Sequence, residues 1–99
     1  MYWVYILYSK KIDKYYIGST SNIQNRVEFH NSDYNKIWSK RGKPWELVFS
    51  HTFDTNTEAL KAEKHIKRQK SRTYISKLIN EGWKEELITK KLKNNNFTR

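Results

Sequence analysis

The chain has 99 residues, the size of one ordinary domain with one core. Only 36% of them are hydrophobic, but four Trp, seven Tyr and four Phe supply large rings that bury much area each. The absence of cysteine excludes disulfides and thiolate metal sites. Twenty Lys and Arg against ten Asp and Glu give a formal charge of +10, which favours polyanionic partners, nucleic acid before an anionic membrane surface.

The first element predicted is a strand over residues 2–8, YWVYILY, rich in aromatic and β-branched side chains. Its apolar run of about seven residues is far short of the roughly 20 that span a bilayer. With no basic segment before it and no small-residue cleavage site after it, it does not read as a signal peptide, and a cytoplasmic location is expected. Residues 10–14 are polar and turn-like. Tyr15 to Gly18 reads as a second short strand completing a hairpin, with Gly18 as its structural turn residue.

Ser21 and Gln24 fit a capping box, so a helix is predicted from Asn22 to about Asn31. Residues 32–44, which hold the only Pro, read as a loop. Trp45 to Phe53 reads as a third strand. Thr55 and Glu58 form a second capping box opening a helix to about Lys70, and Ser71 caps another that Gly82 ends. The fold class expected is α+β, a small three-stranded antiparallel sheet flanked by helices in the order β-β-α-β-α-α. Residues 1–82 form the domain; 83–99 are expected to hold a short helix over about Lys84 to Leu92 and a frayed basic tail.

Two helices carry charge where an apolar stripe is expected. Ile23, Arg26, Val27 and His30 lie at i, i+3, i+4 and i+7 of the first. Glu63 shares the corresponding stripe of the second with Ala59, Ala62 and Ile66. A half-buried carboxylate requires a cation or a metal, and an ion pair with Arg26 across the core is the purely structural way to satisfy it. Tyr5 and Tyr16 on the hairpin either pack at a rim or join the same pocket. His30, His51 and His65 show no metal-ligand spacing, and the last two read as surface residues.

On these residues the chain resembles the GIY-YIG nuclease domain, in its small stand-alone bacterial type. Trp3-Val4-Tyr5 stands where the GIY triplet would be, and Tyr16-Ile17-Gly18 is the YIG triplet unchanged. The stretch from Ser19 to Arg26, His30 four residues later, WELVFS and the AEKHIK around Glu63 continue the likeness over roughly residues 2–80. Trp3 departs from the first Gly of the triplet, and Tyr74-Ile75-Ser76 stands where some members carry an Asn.

The resemblance implies an endonuclease that hydrolyses DNA phosphodiester bonds, with structure-selective cleavage as one form of that activity and RNA as a further substrate class. Its catalytic residues would be Tyr5, Tyr16, Arg26, His30 and Glu63. Glu63 would hold Mg²⁺ or Mn²⁺, hard cations suited to carboxylate oxygen, and Arg26 would face the phosphate. Either tyrosine could handle the attacking water. Lys36, Lys40, Arg41 and Lys43 in the loop, and Lys67, Arg68, Lys70 and Arg72 in the basic run from Lys61, would track the nucleic-acid backbone. Tyr34 and Trp38 in the loop either pack or stack on bases.

The alternative is a non-cleaving nucleic-acid-binding module on the same fold. A membrane partner ranks last, for want of a basic amphipathic helix with large apolar anchors, and no protein partner is evident.

Overall fold

The computed structural model describes residues 1–35 and 38–83. Strands β1 (Tyr2–Ser9), β2 (Lys14–Thr20) and β3 (Glu46–Phe53) form one antiparallel sheet in the order β2-β1-β3, so β1 is central. Helix α1 (Ile23–Asn31) follows β2. A short 3₁₀ turn (Trp38–Gly42) precedes β3, and α2 (Asn56–Gln69) and α3 (Arg72–Glu81) complete the domain. The α+β class, the antiparallel sheet and the element order are those expected from the sequence. The expected helix from Lys84 to Leu92 and the basic tail lie outside the described residues.

A central strand has no solvent face, which is why residues 4–7 are apolar without alternation. Their side chains still alternate between two faces. Val4 and Ile6 pack with Phe49, Phe53, Ala59, Ala62, Ile66, Ile75 and Leu78 beneath α2 and α3. Tyr5 and Leu7 point the other way and pack with Trp45, Tyr16, Ile23 and Val27, on the side that α1 covers. Burial of one such aliphatic side chain is worth about 1.5–3 kcal/mol. Between Ile6 and Leu7 the pairing with β3 slips by one residue, a bulge that leaves Val48 without a partner in β1.

Local chemistry explains the helix ends. The Thr55 hydroxyl accepts from the Glu58 N–H at 3.1 Å, and the Ser71 hydroxyl from the Tyr74 N–H at 3.1 Å, as their capping positions predict. Lys70, at φ 48°, closes α2 in the left-handed conformation, and Gly82, at φ 81°, closes α3 where glycine is unstrained.

Several details differ from expectation. The cap of α1 is Asn22, whose Oδ1 accepts from the Asn25 N–H at 3.0 Å; Thr20 forms a local turn with Asn22 at 3.1 Å, so Ser21 is left exposed. β2 runs on to Thr20, and Gly18 is a mid-strand residue opposite Tyr5 rather than a turn residue. The loop before β3 contains the 3₁₀ turn. His51 and His65 are half-buried instead of lying on the surface. His51 packs against Phe53 and Trp83, and His65 Nε2 meets the Tyr74 hydroxyl at 3.0 Å.

Candidate active site

The α1 face of the sheet gathers four of the five expected catalytic side chains. β1 places Tyr5 at its centre, with Gly18 of β2 directly opposite. A Cβ at position 18 would lie 2.5 Å from the Tyr5 hydroxyl oxygen, so only glycine lets the ring lie across β2. Tyr16 stacks near Tyr5 with centroids 6.3 Å apart, and its ring is 4.5 Å from that of His30. Helix α1 then aims its stripe at this pair: His30 is wholly buried, while Arg26 and Val27 are half-buried beside it.

Hydrogen bonds join these groups into a row. Arg26 Nε donates to the Tyr5 hydroxyl at 3.4 Å, and that hydroxyl meets His30 Nε2 at 3.1 Å. On its far side His30 Nδ1 meets Ser39 Oγ at 3.0 Å, and Asn35 Nδ2 donates to Ser39 Oγ and to the His30 carbonyl, each at 2.9 Å. The indole of Trp45 donates to the Ser39 carbonyl at 2.5 Å and seals this end.

Burial, helped by the Arg26 charge, lowers the His30 pKa to about 4, so the imidazole is neutral at pH 7. Burial also raises the Tyr5 phenol above its usual value, although the Arg26 bond opposes the shift. Arg26 is held firmly charged, first by its bond to Tyr5.

Glu63 stands on the other side of β2. Its Oε1 accepts from Ser19 Oγ at 2.7 Å and its Oε2 from Lys67 Nζ at 2.6 Å, with the side chain 17% exposed. Lys67, rather than Arg26, is therefore its counter-ion, and the core ion pair that the sequence allowed does not form. The Glu63 charge nevertheless reaches the Tyr5 hydroxyl and contributes to its raised pKa.

No group of three or more His, Cys, Asp or Glu placed to hold a metal ion occurs among the described residues. The donors present around Glu63 are hard oxygens, and each carboxylate oxygen keeps a lone pair beyond its present bond. That set fits a divalent ion that retains most of its waters.

The chain matches the model of the GIY-YIG catalytic domain over residues 1–77. It belongs to the GIY-YIG family. That family is one of nucleases, generally dependent on a divalent metal. The chain is similar to UPF0213 protein SSP2268 of Staphylococcus saprophyticus, 37% identical over 81 residues that cover 82% of this chain and 96% of the other. It is also similar to UPF0213 protein YazA of Bacillus subtilis, 34% identical over 71% of this chain and 74% of that protein. The solution NMR structure of UPF0213 protein BH0048 from Bacillus halodurans superimposes with a TM-score of 0.52 at 29% identity, covering 91% of this chain and 96% of that one.

Within this GIY-YIG domain the basic residues divide. Lys40, Arg41 and Arg68 are exposed, and Lys70 is an exposed helix cap. Lys43 is half-buried, donating to the Ser32 carbonyl at 3.0 Å and pairing with Asp33 at 3.7 Å. Arg72 pairs with Asp13 at 2.8 Å and covers the Tyr15 ring. Lys36 lies outside the described residues.

A groove of about 260 Å³ opens between β2, α2 and α3, with Lys14, Lys67, Lys70 and Arg72 around a floor of Ile17 and Ile66. Tyr34 is 81% exposed, so it does not pack. No described helix is long and apolar enough to cross a membrane.

Sequence reasoning missed Ser19, Asn35 and Ser39. Small polar residues in loops and strand ends carry no periodic signal, and each acts through a partner distant in sequence or in a turn.

Proposed function

We propose that the protein is a Mg²⁺-dependent endonuclease hydrolysing DNA phosphodiester bonds. The observation that carries the reading is the row Arg26–Tyr5–His30, stacked beside Tyr16 and within electrostatic reach of Glu63. A polar cluster of this kind has a poor structural rationale on a sheet face that apolar residues could fill, and a good one facing a phosphate.

Arg26 donates its Nε to Tyr5 and is held by Tyr16 as well, which fixes the guanidinium beside both phenols, where its always-charged fork suits the non-bridging oxygens of the scissile phosphate. Tyr5 is only 1% exposed and serves to hold that guanidinium; Tyr16 is the half-exposed phenol able to touch the attacking water. Water oriented by a hydrogen bond to the Tyr16 oxygen attacks phosphorus and releases its proton to solvent, while the bond to the leaving 3′ oxygen breaks and that oxygen is protonated from solvent. A Mg²⁺ ion on Glu63 would supply charge stabilisation at the phosphate and the leaving oxygen. The exposed cations and the basic groove support a sequence-independent grip on the backbone, and Tyr34 offers a stacking surface.

Glu63→Gln is the deciding variant. It keeps the shape and removes the charge, so cleavage of duplex, branched, nicked and single-stranded DNAs should be lost at any Mg²⁺ concentration while the fold and DNA binding persist. Cleavage at the wild-type rate by the variant, or by wild type in chelator, would refute the reading. An RNA panel decides the substrate class.

One contact favours the second reading, a module that binds without cutting: the Lys67 ammonium already occupies the carboxylate at 2.6 Å. Lys67→Ala separates the two, since a hydrolytic site should then take Mg²⁺ more tightly and a binding module should gain nothing.

A further inference from the structure

The buried end of the row is more elaborate than a packing role needs. Ser39 is fully buried and Asn35 is 2% exposed. The orientation of the Asn35 amide is settled by its neighbours: one hydrogen-bond partner of its nitrogen is the His30 carbonyl, which can only accept, so the NH₂ group faces both that carbonyl and Ser39 Oγ. Ser39 Oγ thus already accepts one hydrogen bond.

Two arrangements of the rest are open to a neutral imidazole. In one, Nδ1–H donates to Ser39 and the Tyr5 hydroxyl donates to Nε2, and the hydrogen left over is that of Ser39. In the other, the Ser39 hydroxyl donates to Nδ1 and Nε2–H donates to Tyr5, and the hydrogen left over is that of Tyr5. A buried hydroxyl hydrogen without an acceptor is costly. The Ser39 end is sealed by Trp45 and Asn35, whereas the Tyr5 end borders the half-exposed Arg26 and Tyr16.

We infer that Ser39 and Asn35 are positioning residues that fix His30 as the Nε2–H tautomer, so that the Tyr5 oxygen receives two N–H donors and its own O–H is turned toward the phosphate site. Their effect on the reaction rests on the hydrolytic reading above; the tautomer does not. Asn35 orients Ser39, Ser39 orients the imidazole, and the imidazole orients the phenol that holds Arg26. The tautomer of a ligating or catalytic histidine is ordinarily set by the bond its other nitrogen makes.

Long-range ¹H–¹⁵N correlation of the His30 ring tests this without substrate. Protonated Nε2 and bare Nδ1 are expected at pH 7, and protonated Nδ1 overturns the inference. Ser39→Ala should shift the ring toward the other tautomer and Ser39→Thr should restore it. If Ser39→Ala fails to fold, the wild-type spectrum alone decides.

In the cleavage assay Ser39→Ala should lose roughly tenfold to a hundredfold, the usual loss for an outer partner, with DNA binding unchanged and Ser39→Thr near wild type. An unaltered tautomer and rate in Ser39→Ala would overturn the role. A wild type that shows the expected tautomer but cuts nothing refutes the hydrolytic reading and leaves the tautomer assignment standing.

Discussion

The two faces of β1 are built from the same few residues of one strand by opposite means. Val4 and Ile6 enter an aliphatic layer with Ala59, Ala62, Ile66, Ile75 and Leu78, where any polar atom would be orphaned. Tyr5, one residue away, enters a layer in which Arg26, His30, Ser39 and Asn35 satisfy one another through hydrogen bonds. The first face stabilises through burial, and a lost methylene leaves a cavity. The second gains little net energy from each bond but fixes one geometry, because a buried partner left unpaired is penalised. The difference places most of the folding energy on one side of the sheet and the Arg26–Tyr5–His30 row on the other, while Glu63, bonded to Ser19, stands on the aliphatic side.

The comparison is broken most strongly by Ile66→Ala. Ile66 is 1% exposed at the centre of the aliphatic face, and its truncation should cost about 2–5 kcal/mol, read from a urea midpoint. The row around His30 should survive in the molecules that remain folded, with cleavage per folded molecule close to wild type.

Acid should loosen the other face. The folded-state pKa of His30 is about 4, below the ordinary 6.5. Between those values the unfolded chain binds the proton and the folded chain does not, so stability falls as pH drops through that window. The full contribution is present above about pH 6.5, and about 3 kcal/mol is lost by pH 4. Urea midpoints from pH 7 to 5 should show the slope, and His30→Gln should flatten that part of it. Arg26, Tyr5 and Tyr16 are the charged or titratable groups facing the imidazole, and Arg26 adds to its reluctance to charge.

Gly18→Ala should be milder in stability and severe in function. The new Cβ would collide with the Tyr5 ring, for an overpacking cost of about 1–3 kcal/mol. The ring would be driven off His30 and Arg26, so cleavage should fall far more than the denaturation midpoint suggests. The smallest effect is expected at Asp13→Asn, which removes the charge of the exposed pair with Arg72 while keeping an acceptor for the Tyr8 hydroxyl and a residue suited to φ 52°. Its midpoint should barely move, and whatever difference exists should vanish in high salt.

Local signals made much of this fold legible in the sequence. The strands follow from aromatic and β-branched runs, the starts of α2 and α3 from Thr55 and Ser71, and the end of α3 from Gly82, because each depends on contacts within a few residues. Helical spacing likewise placed Arg26 and His30 on the face that turns inward. At Ser21 the same kind of signal failed: two adjacent residues can both cap, and the turn made by Thr20 chose Asn22.

Tertiary structure alone decided the partners. Ser19 and Lys67 hold Glu63, although Ser19 lies 44 positions away, and Gly18 proved to be a seat for Tyr5 instead of a turn. Asn35 and Ser39 joined the site because the chain after α1 folds back under His30. Periodicity reports which face a residue occupies. Which atom meets which across a sheet depends on register and loop path, and these are fixed only when the whole core closes.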